Sequence, residues 1–294
     1  MKIGFIGLGH MGNPMVCNVL QAGYQCRVFD LDSEAVQRLV DQGAVAVPDL
    51  ATLARDSDVV VSMLQSGEQV RAITGGEKGL FSHLTKGALY IDSSTIDIVT
   101  AKDIHQQALS KGIMMVDAPV SGGVAGAEKG ALTFMVGGEM AAYSASLPIL
   151  QCMGKNIFHA GSAGAGQAVK ACNNMILGIS MIAVSEGFNL ARKLGLNTKT
   201  FFDISSTASG QCWSMTSYCP EPGMVDSAPS NHDYLPGFSA NMMLKDLLLS
   251  QDAAKQVEVN TPLGNAAMQM YKEFVDKGNG EMDFSAIIKM LKRD

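Results

Sequence analysis

The chain is poor in charge and in aromatic rings: 17% of its 294 residues are Asp, Glu, Lys or Arg, 6% are Phe, Tyr or Trp, and there is one tryptophan. The charge it has leans acidic, 28 Asp and Glu against 22 Lys and Arg, and the basic residues never gather into a long run. A surface that neutralises many phosphates is therefore excluded, and nucleic acid is not an expected partner. Six cysteines are scattered, at Cys17, Cys26, Cys152, Cys172, Cys212 and Cys219, without a CxxC pair. No disulfide framework or structural metal is expected from that spacing, and His10, His83, His105, His159 and His232 form no cluster to which a metal could be assigned. The longest apolar stretch, Met175 to Val184, is interrupted by Gly178 and Ser180 and falls short of the roughly 20 residues that cross a bilayer. No membrane partner is expected. The first residues, Met1 to Gly7, enter a strand pattern at once, so no signal or transit segment is read there and a cytoplasmic protein is expected.

What is present suits a large folded core. With 47% hydrophobic residues, a chain of this size buries about 75% of its unfolded surface and forms roughly two domains. From residue 2 to about 160, short β-branched runs alternate with segments of helical period, the pattern of a parallel sheet covered by helices on both faces. Strands are expected at 2–7, 25–30, 44–47, 58–64, 88–92, 113–117, 132–137 and 156–160. Val59 to Leu64 is apolar on both strand faces and reads as interior. One long helix is expected from Ala165 to about Leu194, then helices near 198–205, 239–256, 261–277 and 283–292 without a convincing strand. Pro220 to Gly237 is rich in proline and glycine and reads as a long loop, of the kind that is often functional. The expected class is α/β: a doubly wound sheet followed by an all-helical second domain, divided at 1–163 and 164–294.

Gly7-Leu8-Gly9-His10-Met11-Gly12 is a GxGxxG that follows the first strand and opens a helical pattern. In such a turn the first glycine permits the bend, the second lets the backbone approach a pyrophosphate, and the third lets helix and strand pack. Free N–H groups at the helix start favour an anion. The second strand ends in Asp30, about 18 residues beyond Gly12, close to the spacing at which an acid accepts from the adenosine ribose hydroxyls. A carboxylate there repels a 2′-phosphate, so NAD is the expected cofactor rather than NADP. The alternative is a surface turn whose Asp30 caps the next helix.

A second glycine cluster, Asp117-Ala118-Pro119-Val120-Ser121-Gly122-Gly123, follows a strand at its carboxyl end, where open α/β sheets hold their ligands. Ser121 and the Gly122 and Gly123 amides could hold a carboxylate, although an inert glycine loop fits the same letters. On the long helix Lys170 and Asn174 share a face one turn apart, with Asn173 beside them in largely apolar surroundings. Lys170 could snorkel to water or exchange a proton; two asparagines inside an apolar helix ask for a reason. Asp92-Ser93-Ser94-Thr95 suits a ligand edge and also an N-cap before Ile96-Asp97. Lys245-Asp246 reads as an ordinary helix-surface pair, and Trp213, beside Gln211 and Cys212, suits either a core or a pocket wall.

Four ordered segments, FIGLGHMGNPM, DAPVSGGVAGAEKGALTFMVGG, GAGQAVKACNN and the later KDL, together resemble the β-hydroxyacid dehydrogenase family along the whole chain. The resemblance implies a Rossmann-type dinucleotide-binding domain, a helical substrate and oligomerisation domain, and an active site in the cleft between them. It places the cofactor turn on Gly7, Gly9, His10, Met11 and Gly12, with nicotinamide-side contacts on Leu64, Gln65, Gln69, Thr95 and Lys245. It places the substrate loop on Ser121, Gly122 and Gly123, the catalytic lysine on Lys170 and its orienting asparagine on Asn174. Met63-Leu64-Gln65 stands where many members read Met-Leu-Pro, and Gln69 where Asn is frequent. The implied activity is NAD-dependent oxidation of an alcohol β to a carboxylate, in a homodimer or homotetramer. Among the family's substrates, 3-hydroxyisobutyrate of valine breakdown is expected, with reduction of tartronate semialdehyde or succinic semialdehyde as the alternative.

Overall fold

The computed structural model describes residues 1–291, which divide into two compact units at Lys170 and Ala171. The first unit carries nine strands: β1 (Lys2–Ile6), β2 (Gln25–Phe29), β3 (Val45–Ala46), β4 (Val59–Ser62), β5 (Leu89–Asp92), β6 (Met114–Asp117), β7 (Val120–Ser121), β8 (Leu132–Gly137) and β9 (Gly154–Gly161). They form one sheet in the order β3-β2-β1-β4-β5-β6-β8-β7, with β9 also paired to β8. From β3 to β6 every pairing is parallel. Strand β1 lies between β2 and β4, where the direction of winding reverses, so the turn after β1 opens at the topological switch point.

An all-parallel sheet does not describe the far edge, because β8 runs antiparallel to β6 and to β7 while β9 returns parallel to β8. Parallel neighbours need a crossover of a dozen residues or more. Only residues 122–131, including the short helix Gly123–Glu128, separate β7 from β8. Strand β7 was absent from the sequence expectation, since two residues between a proline and a glycine pair give no periodic signal.

Strand β4 is interior, as its letters required. Val59 and Val61 pack on one face with Ile3, Phe5 and the helix Gly12–Gln21, through Met15, Val16 and Val19. Val60 packs on the other with Val70, Ala101 and Ile104. Four helices of this unit are capped by side chains: Asp32, Asp49, Ser66 and Asp97 each accept from a backbone N–H of the first turn. Asp97, rather than the run Asp92 to Thr95, is the N-cap of helix Ile98–Ser110.

The second unit holds most of the long helix Ala165–Lys193, then helices Thr198–Ser205, Trp213–Thr216, Ala240–Gln256, Pro262–Phe274 and Ile287–Leu291. Its core gathers Met181, Phe188, Met215, Met243, Leu247, Tyr271, Phe274, Phe284 and Ile287. The helix expected over 261–277 stops at Phe274, where a π-helical turn leads to Gly278 at φ 85°. The helix expected over 283–292 begins with a 3-10 turn at Phe284–Ala286, and its last residue lies outside the described residues. The proline-rich segment is an ordered loop. Asp283 accepts from the Gly237 and Phe238 amides and from the Tyr218 hydroxyl, and the Tyr234 hydroxyl donates to the Pro220 carbonyl at 2.8 Å.

The long helix is the one described helix long and apolar enough to cross a membrane, with a window of mean hydropathy 1.4. The longest apolar stretch, Met175 to Val184, is much shorter than the helix that contains it, so the stretch alone gives no candidate. Met181, Ile182, Val184 and Phe188 of this helix lie in the core of the second unit, whereas Val169, Ile176 and Leu190 are exposed.

Candidate active site

The turn after β1 is built on two glycines that the fold demands and one that it does not. Gly7 has φ +88°, and a Cβ there would lie 2.3 Å from the Met63 carbonyl oxygen. A Cβ on Gly12 would lie 1.8 Å from the Gly7 carbonyl oxygen. Around Gly9 nothing would meet a Cβ within 4 Å, so its bareness serves no packing purpose. Helix Gly12–Gln21 begins after Met11 with neither a side-chain cap nor an acid in its first turn. Open space, uncapped amides and the positive end of a helix fit the pyrophosphate of a dinucleotide. His10 is exposed beside Gly9. Asp30 sits at the end of β2 and does more than wait for a ribose: its Oδ2 accepts from Leu8 N at 2.6 Å and its Oδ1 from Asp32 N at 2.9 Å. The cap of the following helix is Asp32.

At the carboxyl ends of β4 and β5 the other first-unit residues expected at the cofactor come together. Leu64 N donates to Ser94 Oγ at 2.9 Å, and Gln65 N donates to Gln69 Oε1 at 3.0 Å. Thr95, half-buried, lies between Ser94 and Ile96. Asp92 is fully buried: Ser62 Oγ and Ser94 N donate to its Oδ1, and its Oδ2 has no hydrogen-bond partner. Burial pushes its carboxyl up to about 6, aided by the Asp117 charge and opposed by the Ser94 and Ser62 hydrogen bonds.

The loop expected to hold the substrate is joined to Lys170 through Val120. Lys170 is 7% exposed, and its Nζ donates to the Val120 carbonyl at 2.8 Å, one residue before Ser121. Gly122 at φ +131° and Gly123 at φ +61° take backbone conformations that a side chain would strain. Gly122 opens helix Gly123–Glu128 with no side-chain cap. Two residues that the sequence reading did not select fix the helix that bears Lys170. Asp117, fully buried, accepts from Gly164 N at 2.8 Å, Gln167 N at 3.0 Å and His105 Nε2 at 2.9 Å. The Gln167 side chain reaches back to Ser94 O and Ile96 N. The signal for Asp117 was present: a carboxylate closing an apolar strand.

In the second unit Asn174 is 1% exposed; its Nδ2 donates to Asp246 Oδ2, and its Oδ1 accepts from Asn173 Nδ2 at 3.0 Å. Asp246 is 2% exposed, and Lys245 Nζ lies 3.3 Å from its Oδ1. The surface-pair reading of Lys245-Asp246 is thus wrong for the acid, which the neighbouring lysine disguised. Trp213 is no core residue: it is 49% exposed and stacks on Tyr218, with ring centroids 4.9 Å apart. No group of three or more His, Cys, Asp or Glu gathers as a metal site among the described residues.

Residues 2–161 match the family model described as the NAD binding domain of 6-phosphogluconate dehydrogenase. Residues 164–291 match that described as NAD-binding of NADP-dependent 3-hydroxyisobutyrate dehydrogenase. The NAD-dependent L-serine dehydrogenase of Pseudomonas aeruginosa is 44% identical over 290 residues, 99% of this chain and 97% of that one. The mitochondrial 3-hydroxyisobutyrate dehydrogenase of Drosophila melanogaster is 43% identical over 293 residues, 100% of this chain and 90% of that one. Among solved structures, 3-hydroxyisobutyrate dehydrogenase of Mycobacterium tuberculosis with L-serine is 41% identical with a TM-score of 0.94, each chain covered to 99%. A cofactor turn that fits a dinucleotide, family models across both parts of the chain and full-length likeness of this degree place the protein in the NAD-dependent 3-hydroxyacid dehydrogenase family, the β-hydroxyacid dehydrogenases.

Proposed function

We propose that the protein oxidises 3-hydroxyisobutyrate to methylmalonate semialdehyde, as in valine breakdown, with Lys170 as the proton acceptor. When bound, NAD takes the hydride from the alcohol carbon. Gly7, Gly9 and Gly12 would hold its pyrophosphate, Asp30 its ribose, and Leu64, Gln65, Gln69, Thr95 and Lys245 its nicotinamide side. Lys170 Nζ takes the hydroxyl proton as the carbonyl forms and steadies the developing negative charge on oxygen. The observation that carries this reading is the bond from Nζ to Val120 O. A neutral amine keeps two N–H groups and a lone pair, so the same carbonyl holds Nζ before and after it takes the proton. Ser121 and the Gly122 and Gly123 amides grip the substrate carboxylate, and Asn174 orients the reacting groups, itself fixed by Asp246.

The substrate choice is supported by the names of several relatives. L-Serine is the second reading, favoured by the Pseudomonas relative and by the L-serine in the Mycobacterium structure. We extend the proposal to a homodimer or homotetramer, which light scattering would test, and to a cytoplasmic location, which cell fractionation would test.

The deciding measurement is kcat/KM for 3-hydroxyisobutyrate, L-serine, glycerate and 4-hydroxybutyrate, all with NAD at one pH. A methyl-fitting pocket gives 3-hydroxyisobutyrate an advantage of at least about 10-fold. Equal or better use of L-serine would transfer the assignment to serine, and equal or better use of glycerate would favour tartronate semialdehyde chemistry.

A further inference from the structure

We propose that Gln167 is a positioning residue that locks the loop carrying Thr95 to the helix carrying Lys170; this rests on the role given to Lys170 above. Gln167 is 1% exposed and stands one turn before Lys170. Its Oε1 accepts from Ile96 N at 3.1 Å and its Nε2 donates to Ser94 O at 2.8 Å. Those two backbone groups flank Thr95. One amide therefore grips the loop on both sides of the residue assigned to the nicotinamide side, as acceptor on one flank and donor on the other.

The chemistry restricts what could replace it. The two flanking groups demand a neutral side chain with one acceptor and one donor a fixed distance apart, which the amide of Gln supplies and an ionised carboxylate does not. Gln167 is also tied down through its own backbone, because its N–H donates to Asp117 Oδ2 at 3.0 Å, beside the Gly164 amide on Oδ1. The approach at this point is main chain to main chain: a Cβ on Gly166 would lie 2.3 Å from the Met135 carbonyl oxygen and 2.6 Å from that of Asp117. The helix start is thus fixed against the sheet independently of the side chain at 167. What the side chain adds is the link to Ser94, Thr95 and Ile96. That link continues, since Ser94 Oγ accepts from Leu64 N at 2.9 Å. Residues 64, 94–96 and 170 are joined in one hydrogen-bonded frame that fixes the spacing between cofactor side and proton acceptor.

The test compares wild type with Gln167→Met, which fills similar volume without hydrogen bonds, and with Gln167→Glu. Three quantities are read: kcat and KM, the primary deuterium isotope effect on kcat, and hydrogen exchange at the Ile96 amide in cofactor-free protein. For Gln167→Met we expect kcat to fall on the order of 10²-fold with little change in KM, a larger isotope effect, and faster exchange at Ile96. In Gln167→Glu an ionised carboxylate would face Ser94 O, near the Asp92 and Asp117 carboxylates. Its loss of kcat relative to wild type should ease as pH falls, because the neutral carboxyl again offers one donor and one acceptor. Wild-type kcat and isotope effect in Gln167→Met overturn the proposal, as does a loss of kcat with unchanged isotope effect and unchanged Ile96 exchange. If Gln167→Met does not fold, the pH response of Gln167→Glu decides, and a loss that stays constant with pH overturns the proposal. Lys170→Ala is measured in parallel. Undiminished turnover there removes the role of Lys170 itself, whereas lost turnover there with a normal Gln167→Met defeats the Gln167 assignment alone.

Discussion

Asp92 and Asp30 illustrate what single residues contribute and what their letters conceal. The folded state holds a proton on Asp92 up to about pH 6, against an ordinary value of 3.8. Over that window the unfolded chain has already released the proton, so Asp92 lowers stability as pH rises from about 4 to about 6, and the loss persists above it. Asp92→Asn keeps an acceptor for Ser62 and Ser94 and removes the buried charge. It should raise stability over wild type on the order of 1–3 kcal/mol at neutral pH, with the difference vanishing near pH 4. Urea unfolding of both proteins at the two pH values checks this; a difference that does not change with pH would exclude Asp92 as its source. Asp30 was selected in the sequence for its charge toward a ribose, but its bond to Leu8 N adds a role that only the folded turn reveals. Asp30→Asn retains an acceptor for that amide while Asp30→Ser is too short to reach it. We expect Asp30→Asn to narrow the preference for NAD over NADP with modest loss of NAD affinity, and Asp30→Ser to weaken both cofactors. Competing titrations measure this, and a wild type that prefers NADP would contradict it. Asp246 was hidden for a different reason: its partner Asn174 is remote in sequence, and the adjacent lysine made it look solvated.

At the scale of elements, periodicity located strands and helices well wherever they were long and regular. The long helix and the strands β1, β2, β4, β5, β6 and β8 lie within a few residues of their expected places. Short or sharply turned elements were illegible: β7, the helix Trp213–Thr216, and the antiparallel return of β8 depend on pairing that no local window contains. The cofactor turn separates fold from ligand within one element. Gly12→Ala drives a Cβ into the Gly7 carbonyl, whereas Gly9→Ala enters open space. Gly12→Ala should lower the melting temperature sharply, by a strain worth on the order of 1–3 kcal/mol or more. Gly9→Ala should melt like wild type and bind NAD at least about 10-fold more weakly, as expected when backbone approach to a pyrophosphate is blocked. Thermal unfolding and NAD titration of both variants test this, and normal NAD affinity in Gly9→Ala would remove the reason given for that glycine.

For the molecule as a whole, composition and motif order sufficed for the class of fold; the chain divides into two units at Lys170 and Ala171, each with its own buried cluster. Composition alone does not classify the long helix, which satisfies the length and hydropathy of a membrane span while placing Met181, Ile182, Val184 and Phe188 in a core. Because the cofactor turn belongs to the folded state, NAD at 100 times its Kd should stabilise the protein by about 2.7 kcal/mol. Calorimetry with and without NAD reads the shift, and an unchanged unfolding temperature would deny cofactor binding. The contact between Lys170 and Val120 bears on how such an enzyme can diversify. Its acceptor is a peptide carbonyl, so no codon at position 120 can delete it, and any residue that fits the buried site there retains it. Random libraries in the neighbouring loop, proposed above to hold the substrate, would therefore vary the groups offered to it while inheriting the anchor of the lysine unaltered, which would make this loop a place where new specificities can arise in single steps.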